Sequence, residues 1–135
     1  WLCESETSFR LVDTLLTIVH PELYRRLSAV WEQLLADEEI MDLHELIRAW
    51  PTLFTTISVV YHRETPFHHD SKSVLQWYDL LLSIGSYTDA ILELPTLGIC
   101  ACYMPGTAAL FSRLLLRHGV SPVDQGDHIG YVFYM

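Results

Sequence analysis

The sequence has few basic residues and no long apolar run. Lysine and arginine make up only 8 of its 135 residues, against 17 acids, which gives a formal charge of −9. This acidic excess repels a phosphate backbone, so a broad nucleic-acid-binding surface is not favoured. No apolar stretch is long enough to span a bilayer, and no signal peptide is visible. We therefore expect no membrane association.

Cysteine is scarce as well. Cys3, Cys100 and Cys102 are odd in number and do not have the spacing of a zinc site. The segment around Cys100 and Cys102 is apolar and resembles a strand. These features predict buried free thiols in a reducing compartment rather than disulfides or metal ligands. They agree with an intracellular location.

The composition is that of a folded domain. Half of the residues are hydrophobic and 12% are aromatic, which argues against disorder. A chain of 135 residues fits one domain with one core. The chain begins at Trp1 rather than at methionine, and we expect it to be a fragment of a longer chain. No internal repeat or low-complexity tract is present.

Residues 1–51 predict helices. Apolar residues recur at helical spacing in two stretches, and these stripes are expected to face the core. The first stripe is Leu11, Leu15, Ile18 and Val19, and the second is Leu23, Leu27, Val30, Trp31, Leu34 and Leu35. Pro21 suits the first turn of the second helix. Asp37 is predicted to cap a third helix, which Pro51 ends.

Residues 52–135 predict strands. Runs rich in β-branched and aromatic residues alternate with tight turns, at residues 53–61, 77–84, 90–94, 99–104, 107–111, 114–120 and 127–134. Helices followed by strands indicate an α+β fold, with a small barrel or sandwich braced by N-terminal helices in a single domain of residues 1–135. If the last two runs form a hairpin about Val123, His118 and His128 become neighbours across it.

Three residues have the pattern of a metal site. His68 and Asp70 are two positions apart, and His118 follows much later. In an extended segment, residues two apart point the same way, so His68 and Asp70 can face one ion while His69 points elsewhere. Two imidazoles and one carboxylate on one face of an octahedral iron leave the other face open, as in non-haem Fe(II) oxygenases. The pattern therefore predicts that His68, Asp70 and His118 bind iron.

The flanking residues extend this pattern to a family. From about Val59 to its end, the chain resembles the double-stranded β-helix of Fe(II)/2-oxoglutarate dioxygenases, and within these the fungal oxygenases of the ten-eleven-translocation/J-binding-protein type. The segments that carry the resemblance are Tyr61–Ser71, Trp77–Ser83, Tyr103–Thr107, Arg117–Val120 and Gly126–Ile129.

The resemblance implies a chemistry and a set of partners. The cofactor would be Fe(II), bound by His68, Asp70 and His118. The cosubstrates would be 2-oxoglutarate and O₂, and the substrate would be a methylated base in nucleic acid. Such a base would have to be flipped out of a duplex, with Tyr61 and Phe67 as candidates for stacking on it, although aromatic residues in strands more often belong to the core. A nuclear location would follow.

The chain departs from the family pattern at one position. An arginine about ten residues after the distal histidine usually holds the far carboxylate of 2-oxoglutarate, but His128 stands there. Arginine offers a permanent, bidentate charge, whereas histidine is charged only part of the time near neutrality. Arg63, Arg113 or Arg117 could take over this role. These bases and Lys72 form either a local basic mouth or scattered surface charges.

Two alternatives remain open at this point. The chain could be a catalytically weak or inactive relative that keeps the fold for binding, which the presence of His128 favours. It could also be a related oxygenase that hydroxylates a protein side chain or a small molecule, which the acidic charge favours.

Overall fold

Helices and strands occupy separate parts of the chain. The computed structural model describes residues 1–135, except for the side chains of Leu2 and Cys3. Two compact units, residues 1–55 and 56–135, divide the chain. The first contains α1 (Leu2–Val19), α2 (Pro21–Ala36), a 3-10 helix (Glu38–Leu43) and α3 (His44–Ala49). The prediction that the two parts form a single domain stays a prediction.

The first unit is tied together by hydrogen bonds to its last segment. Asp13 on α1 accepts hydrogen bonds from the Thr52 hydroxyl at 2.7 Å and from the Leu53 amide at 3.1 Å. The indole of Trp31 on α2 donates to the Leu53 carbonyl at 2.7 Å. Burial raises the pKa of Asp13 above its ordinary value. A half-buried carboxylate thus joins the start of the chain to the segment that leads into the strands.

The helical predictions are confirmed in part. The Asp37 side chain accepts a hydrogen bond from the Glu39 amide at 2.9 Å, but it caps the 3-10 helix that precedes α3. Leu23 and Leu27 are buried, as predicted. The stripe predicted for α1 is wrong, because Leu11 and Ile18 are 58% and 73% exposed. The residues that α1 buries are Phe9, Val12 and Leu16.

The second unit is a double-stranded β-helix, as predicted. Two four-stranded antiparallel sheets have the strand orders β1-β8-β3-β6 and β2-β7-β4-β5. Their strands are β1 (Thr56–Tyr61), β2 (Thr65–His68), β3 (Asp79–Gly85), β4 (Ile91–Leu94), β5 (Ile99–Cys102), β6 (Ala108–Phe111), β7 (His118–Val120) and β8 (His128–Tyr134). The core of this unit contains Leu81, Tyr87, Ala90, Leu92, Tyr103, Phe111 and Val120.

The predicted hairpin between the last two strands is wrong. β7 pairs with β2 and β4, whereas β8 pairs with β1 and β3 in the other sheet. The segment between them is held by the turn after β3, since the Asp124 amide donates to Asp89 and the Ser86 amide donates to the Asp127 carbonyl. Gly126, with φ +82°, lies so close that a Cβ would be 2.7 Å from the Ser86 carbonyl oxygen. These contacts carry the chain from the sheet that contains β7 to the sheet that contains β8.

The prediction of buried thiols is wrong for the two cysteines whose side chains are described. Cys100 and Cys102 are both free and exposed. They lie on β5, which is an edge strand of its sheet and is exposed along its whole length. The side chain of Cys3 lies outside the described residues.

None of the described helices combines the length and the apolar character that a membrane span requires.

Replacing Asp13 by alanine should lower the free energy of unfolding by about 1–3 kcal/mol, because the buried Thr52 hydroxyl and the Leu53 amide lose their acceptor. Urea denaturation of both proteins measures the change. Glu32→Ala, at an exposed position of α2, is the control and should change stability by less than about 0.5 kcal/mol. Equal stability of Asp13→Ala and the unchanged protein would contradict this account.

Candidate metal centre and its cavity

His68 and His118 face each other across two paired strands. They occupy directly opposite positions of β2 and β7, and their ring centroids are 4.2 Å apart. The strands approach closely because residue 119 is glycine. A Cβ at Gly119 would lie 2.8 Å from Phe67 Cδ1 and 2.9 Å from the Thr65 carbonyl oxygen. Register and close approach together place the two imidazoles side by side.

In both imidazoles the same nitrogen, Nδ1, lies against a backbone carbonyl oxygen. His68 Nδ1 lies 2.8 Å from the Pro66 carbonyl oxygen, and His118 Nδ1 lies 3.0 Å from that of Leu116. A carbonyl only accepts hydrogen bonds, so Nδ1 of each ring is the donor, and the neutral form of such a ring has its lone pair on Nε2. Burial lowers the pKa of His118 below its ordinary value, which favours the neutral ring. Hydrogen bonds of this kind orient the histidine ligands of metal ions in proteins.

Asp70 completes the group. Its Oδ1 lies 3.5 Å from His68 Nε2, while its Oδ2 lies 2.8 Å from Arg113 Nη1. One ligand atom from each of His68, Asp70 and His118 lies within 4.8 Å of the other two. Although Oδ2 is close to the Arg113 charge, it has no hydrogen bond of good geometry within the described residues. Arg113 thus balances the charge at Oδ2, while Oδ1 lies on the side of His68.

His69 is not part of this group. Its Nδ1 lies 3.1 Å from the Leu114 carbonyl oxygen, and the group of possible ligands among the described side chains contains His68 instead. The alternation along an extended segment separates the two neighbouring histidines in this way.

A cavity of about 910 Å³ opens beside these three residues. Most of its lining comes from β1, β2, β7 and β8 and from the segment after β2. Arg63, Lys72 and Arg113 line it, so three of the four bases in residues 51–135 lie here. This arrangement corresponds to a local basic mouth on an acidic chain. Arg117 is not among the lining residues, and its guanidinium lies over the Phe67 ring at 5.3 Å.

His128 lies in the same cavity, although it is not the cross-strand neighbour of His118. It is opposite Gly85 on β3, is only 5% exposed, and contacts the rings of Tyr87 and Tyr103. Its Nε2 is buried and has no hydrogen-bond partner within the described part of the chain. Burial, and secondarily the charge of His62, lower the pKa of His128. The cavity therefore contains a buried polar atom that a bound molecule could satisfy.

The two aromatic residues considered for stacking differ in position. Phe67 lines the cavity and is 42% exposed. Tyr61 does not line it, and its hydroxyl donates a hydrogen bond to Asp127 Oδ1 at 2.7 Å. Phe67 is thus the better placed of the two to contact a ligand in the cavity.

Sequence reasoning missed one charged residue of this region. Asp79, at the start of β3, is 3% exposed and accepts a hydrogen bond from Arg113 Nε at 2.7 Å. The only signal in the sequence is a carboxylate directly before the apolar run Leu80–Leu82. A buried acid at such a place requires a cationic partner, and sequence alone does not say which one.

Two imidazoles and one carboxylate are the set of side chains that mononuclear non-haem Fe(II) oxygenases use to hold their metal. The chain belongs to the Tet/JBP family, the oxygenase domain of the 2OGFeDO superfamily, whose family model matches residues 2–135. No curated protein is significantly similar in sequence.

A solved structure has the same fold. The chain is similar to NgTET1, solved in complex with 5mC DNA, with a TM-score of 0.73 and 19% sequence identity. The match covers 96% of this chain and 47% of that one, so the chain spans about half the length of its solved relative.

The folded protein should lose stability when the pH falls below about 6.5, the ordinary pKa of histidine. The pKa of His128 is lower in the folded state, so the unfolded state binds more protons between the two pKa values, and stability rises with pH across that window. This histidine alone contributes at most about 1.4 kcal/mol per pH unit. Urea denaturation of the metal-free protein between pH 7.5 and 5.5 measures the slope.

Replacing His128 by asparagine should reduce this slope. His44→Asn, at a half-buried position of α3 outside the cavity lining, is the control and should leave it unchanged. If His44→Asn reduced the pH dependence of stability and His128→Asn did not, the buried ring of His128 would not be the source of that dependence.

Proposed function

We propose that this domain is an Fe(II)- and 2-oxoglutarate-dependent dioxygenase that oxidises the methyl group of 5-methylcytosine or a related methylated base in nucleic acid. The observation that carries the proposal is the convergence of His68, Asp70 and His118, with Nδ1 of each imidazole bonded to a backbone carbonyl. The family assignment supports the oxygenase class, and the fold agrees with it.

The residues present fit the metal. Two neutral nitrogens and one carboxylate oxygen are the donor set that non-haem Fe(II) oxygenases use. In such a site, bound iron with 2-oxoglutarate and O₂ supplies one oxygen atom to a substrate C–H bond, while the other enters succinate as CO₂ is released. The cavity beside the three ligands has room for both the cosubstrate and a flipped base.

Three residues are candidates to bind the far carboxylate of 2-oxoglutarate. They are His128, which stands at the position of the family's arginine, and the two nearby bases Arg113 and Arg117. His128 has the strongest support, because it lines the cavity and its Nε2 has no hydrogen-bond partner within the described residues. Arg113 also lines the cavity, but its guanidinium is engaged by Asp70 and Asp79. Arg117 lies over Phe67 and outside the lining, so it is the least favoured of the three.

Two observations support a methylated base in nucleic acid as the substrate. NgTET1 was solved with 5mC DNA, and the cavity of this chain is flanked by the bases Arg63 and Lys72, which are exposed and suited to phosphate contact. Phe67 at the cavity wall offers an aromatic face on which an extruded base could stack. A nuclear location would follow from a DNA substrate.

A second candidate function is favoured by His128. A buried ring with a lowered pKa is neutral near pH 7 and holds a carboxylate less tightly than arginine does. The domain would then be a weakly active or inactive relative that binds a ligand or a methylated base without turnover. A related oxygenase for a protein side chain or a small molecule would fit the overall charge of −9.

Oxidation of the methyl group should require all three proposed ligands. We expect the protein with Fe(II), 2-oxoglutarate and O₂ to convert 5-methylcytosine in an oligonucleotide to its hydroxymethyl form, with succinate formed in step. His118→Ala and Asp70→Ala should each abolish both products. His69→Ala is the matched control and should retain activity, since His69 lies outside the ligand group.

The same assay distinguishes the proposed base oxidation from the other candidate functions. Succinate without base oxidation would indicate another substrate class. Neither product, with retained metal binding, would indicate the inactive relative.

His128→Arg should bind 2-oxoglutarate more tightly than the natural protein. In this variant a charge-assisted bidentate hydrogen bond to the far carboxylate replaces a hydrogen bond from a neutral ring. A hydrogen bond to a charged group is worth on the order of 1.5–3 kcal/mol, or roughly 10- to 150-fold in affinity. Calorimetric titration of both metal-loaded proteins measures the ratio. Equal or weaker binding by His128→Arg would show that another residue holds this carboxylate.

A further inference from the structure

We propose that Arg113 is a positioning residue of the metal centre, which holds Asp70 so that only Oδ1 faces the metal. This inference rests on the metal site proposed above. It assigns a function to a buried ion network that the ligand pattern does not include.

The two oxygens of Asp70 have different surroundings. Oδ1 points to the ligand group and lies 3.5 Å from His68 Nε2. Oδ2 lies 2.8 Å from Arg113 Nη1. The backbones are joined as well, because the Asp70 amide donates a hydrogen bond of 3.0 Å to the Arg113 carbonyl. Arg113 therefore fixes both the position of Asp70 and the rotation of its carboxylate.

Arg113 is itself held from other sides. Its Nε donates a hydrogen bond of 2.7 Å to Asp79 Oδ2, which also accepts one of 2.9 Å from the Ser73 hydroxyl. Its guanidinium lies over the Tyr134 ring at 5.4 Å. The side chains of Arg113 and Asp79 are only 13% and 4% exposed. A guanidinium anchored in this way has little freedom, so the Nη1 that faces Asp70 stays in place.

The arrangement needs an arginine. A planar guanidinium can direct Nε to one carboxylate and Nη1 to another, whereas the single ammonium group of lysine is a point charge on a flexible stem.

The orientation of Asp70 determines how many coordination positions of the metal stay open. Three protein ligands leave three of six octahedral positions free, enough for a bidentate 2-oxo acid and O₂. An Asp70 that also bound through Oδ2 would occupy one of them.

Metal affinity tests the proposal. Partners that orient a ligand typically contribute 10- to 100-fold to metal affinity. The protein is freed of metal with a chelator and titrated with Mn(II), and free Mn(II) is followed by its electron paramagnetic resonance signal. We expect Arg113→Gln to bind Mn(II) 10- to 100-fold more weakly, and Arg113→Lys to restore only part of this loss. Arg48→Gln, which removes an exposed arginine of α3 that does not line the cavity, is the control and should bind as the natural protein does.

Stability is measured separately, by thermal unfolding of the metal-free proteins. A purely structural role for Arg113 would lower the unfolding temperature of its variants but leave the Mn(II) affinity of the folded protein unchanged. If Arg113→Gln does not fold, Arg113→Lys and Asp79→Asn decide the question, because Asp79→Asn keeps the shape of the anchor and removes its charge. Weaker Mn(II) binding by these variants supports the proposal, and unchanged affinity in both overturns it.

The result also separates this inference from the proposed function. If the natural protein does not bind Mn(II) and Asp70→Ala changes nothing, the metal site itself is wrong. If the natural protein binds Mn(II) and Asp70→Ala abolishes binding while the Arg113 variants bind normally, the metal site stands and only the role of Arg113 is wrong.

Discussion

The pairing of β2 with β7 is the contact on which the two histidines depend. Their backbones come so close at Gly119 that any side chain there would meet the Thr65 carbonyl and the Phe67 ring. That proximity places His68 opposite His118, and each ring is then oriented by the carbonyl of the residue two positions earlier in the sequence. The positions come from a long-range contact, whereas the ring orientations come from local hydrogen bonds.

Charge balance is the second constraint on this site. Two carboxylates, Asp70 and Asp79, are held by one guanidinium in a part of the molecule with little solvent. Charges removed from water are tolerated where partners and hydrogen bonds compensate them, and removing one partner leaves the others uncompensated. The site therefore couples the fold to the chemistry, since the residue that neutralises a proposed ligand also joins β3 to the segments after β2 and β6.

The sequence allowed the three proposed ligands to be selected, because residue type and alternation in an extended segment restrict what can face one ion. The class of fold followed from the change of periodicity near Pro51. The placement of β7 and β8 could not be predicted, since a turn-forming segment fits a hairpin as well as a crossover. The contacts that Ser86 and Asp89 make with the segment after β7 are what lead the chain into a crossover.

The error in α1 has a similar origin. That helix carries apolar residues on more than one face, among them Leu11 and Ile18 as well as Val12 and Leu16. Periodicity alone cannot tell which of these faces becomes buried. Asp79 was missed for a related reason, because its partner Arg113 is 34 residues away and no local spacing connects them.

In the proposed reaction, the buried ring of His128 would have a consequence for the release of succinate. Succinate keeps the far carboxylate of 2-oxoglutarate but lacks the oxo-acid end that chelates iron. If His128 holds that carboxylate, a weak anchor loosens the product as well as the cosubstrate. The product would then have little left to hold it, and its departure would not limit turnover. An enzyme of this kind would respond to the cellular supply of 2-oxoglutarate while remaining insensitive to accumulated succinate.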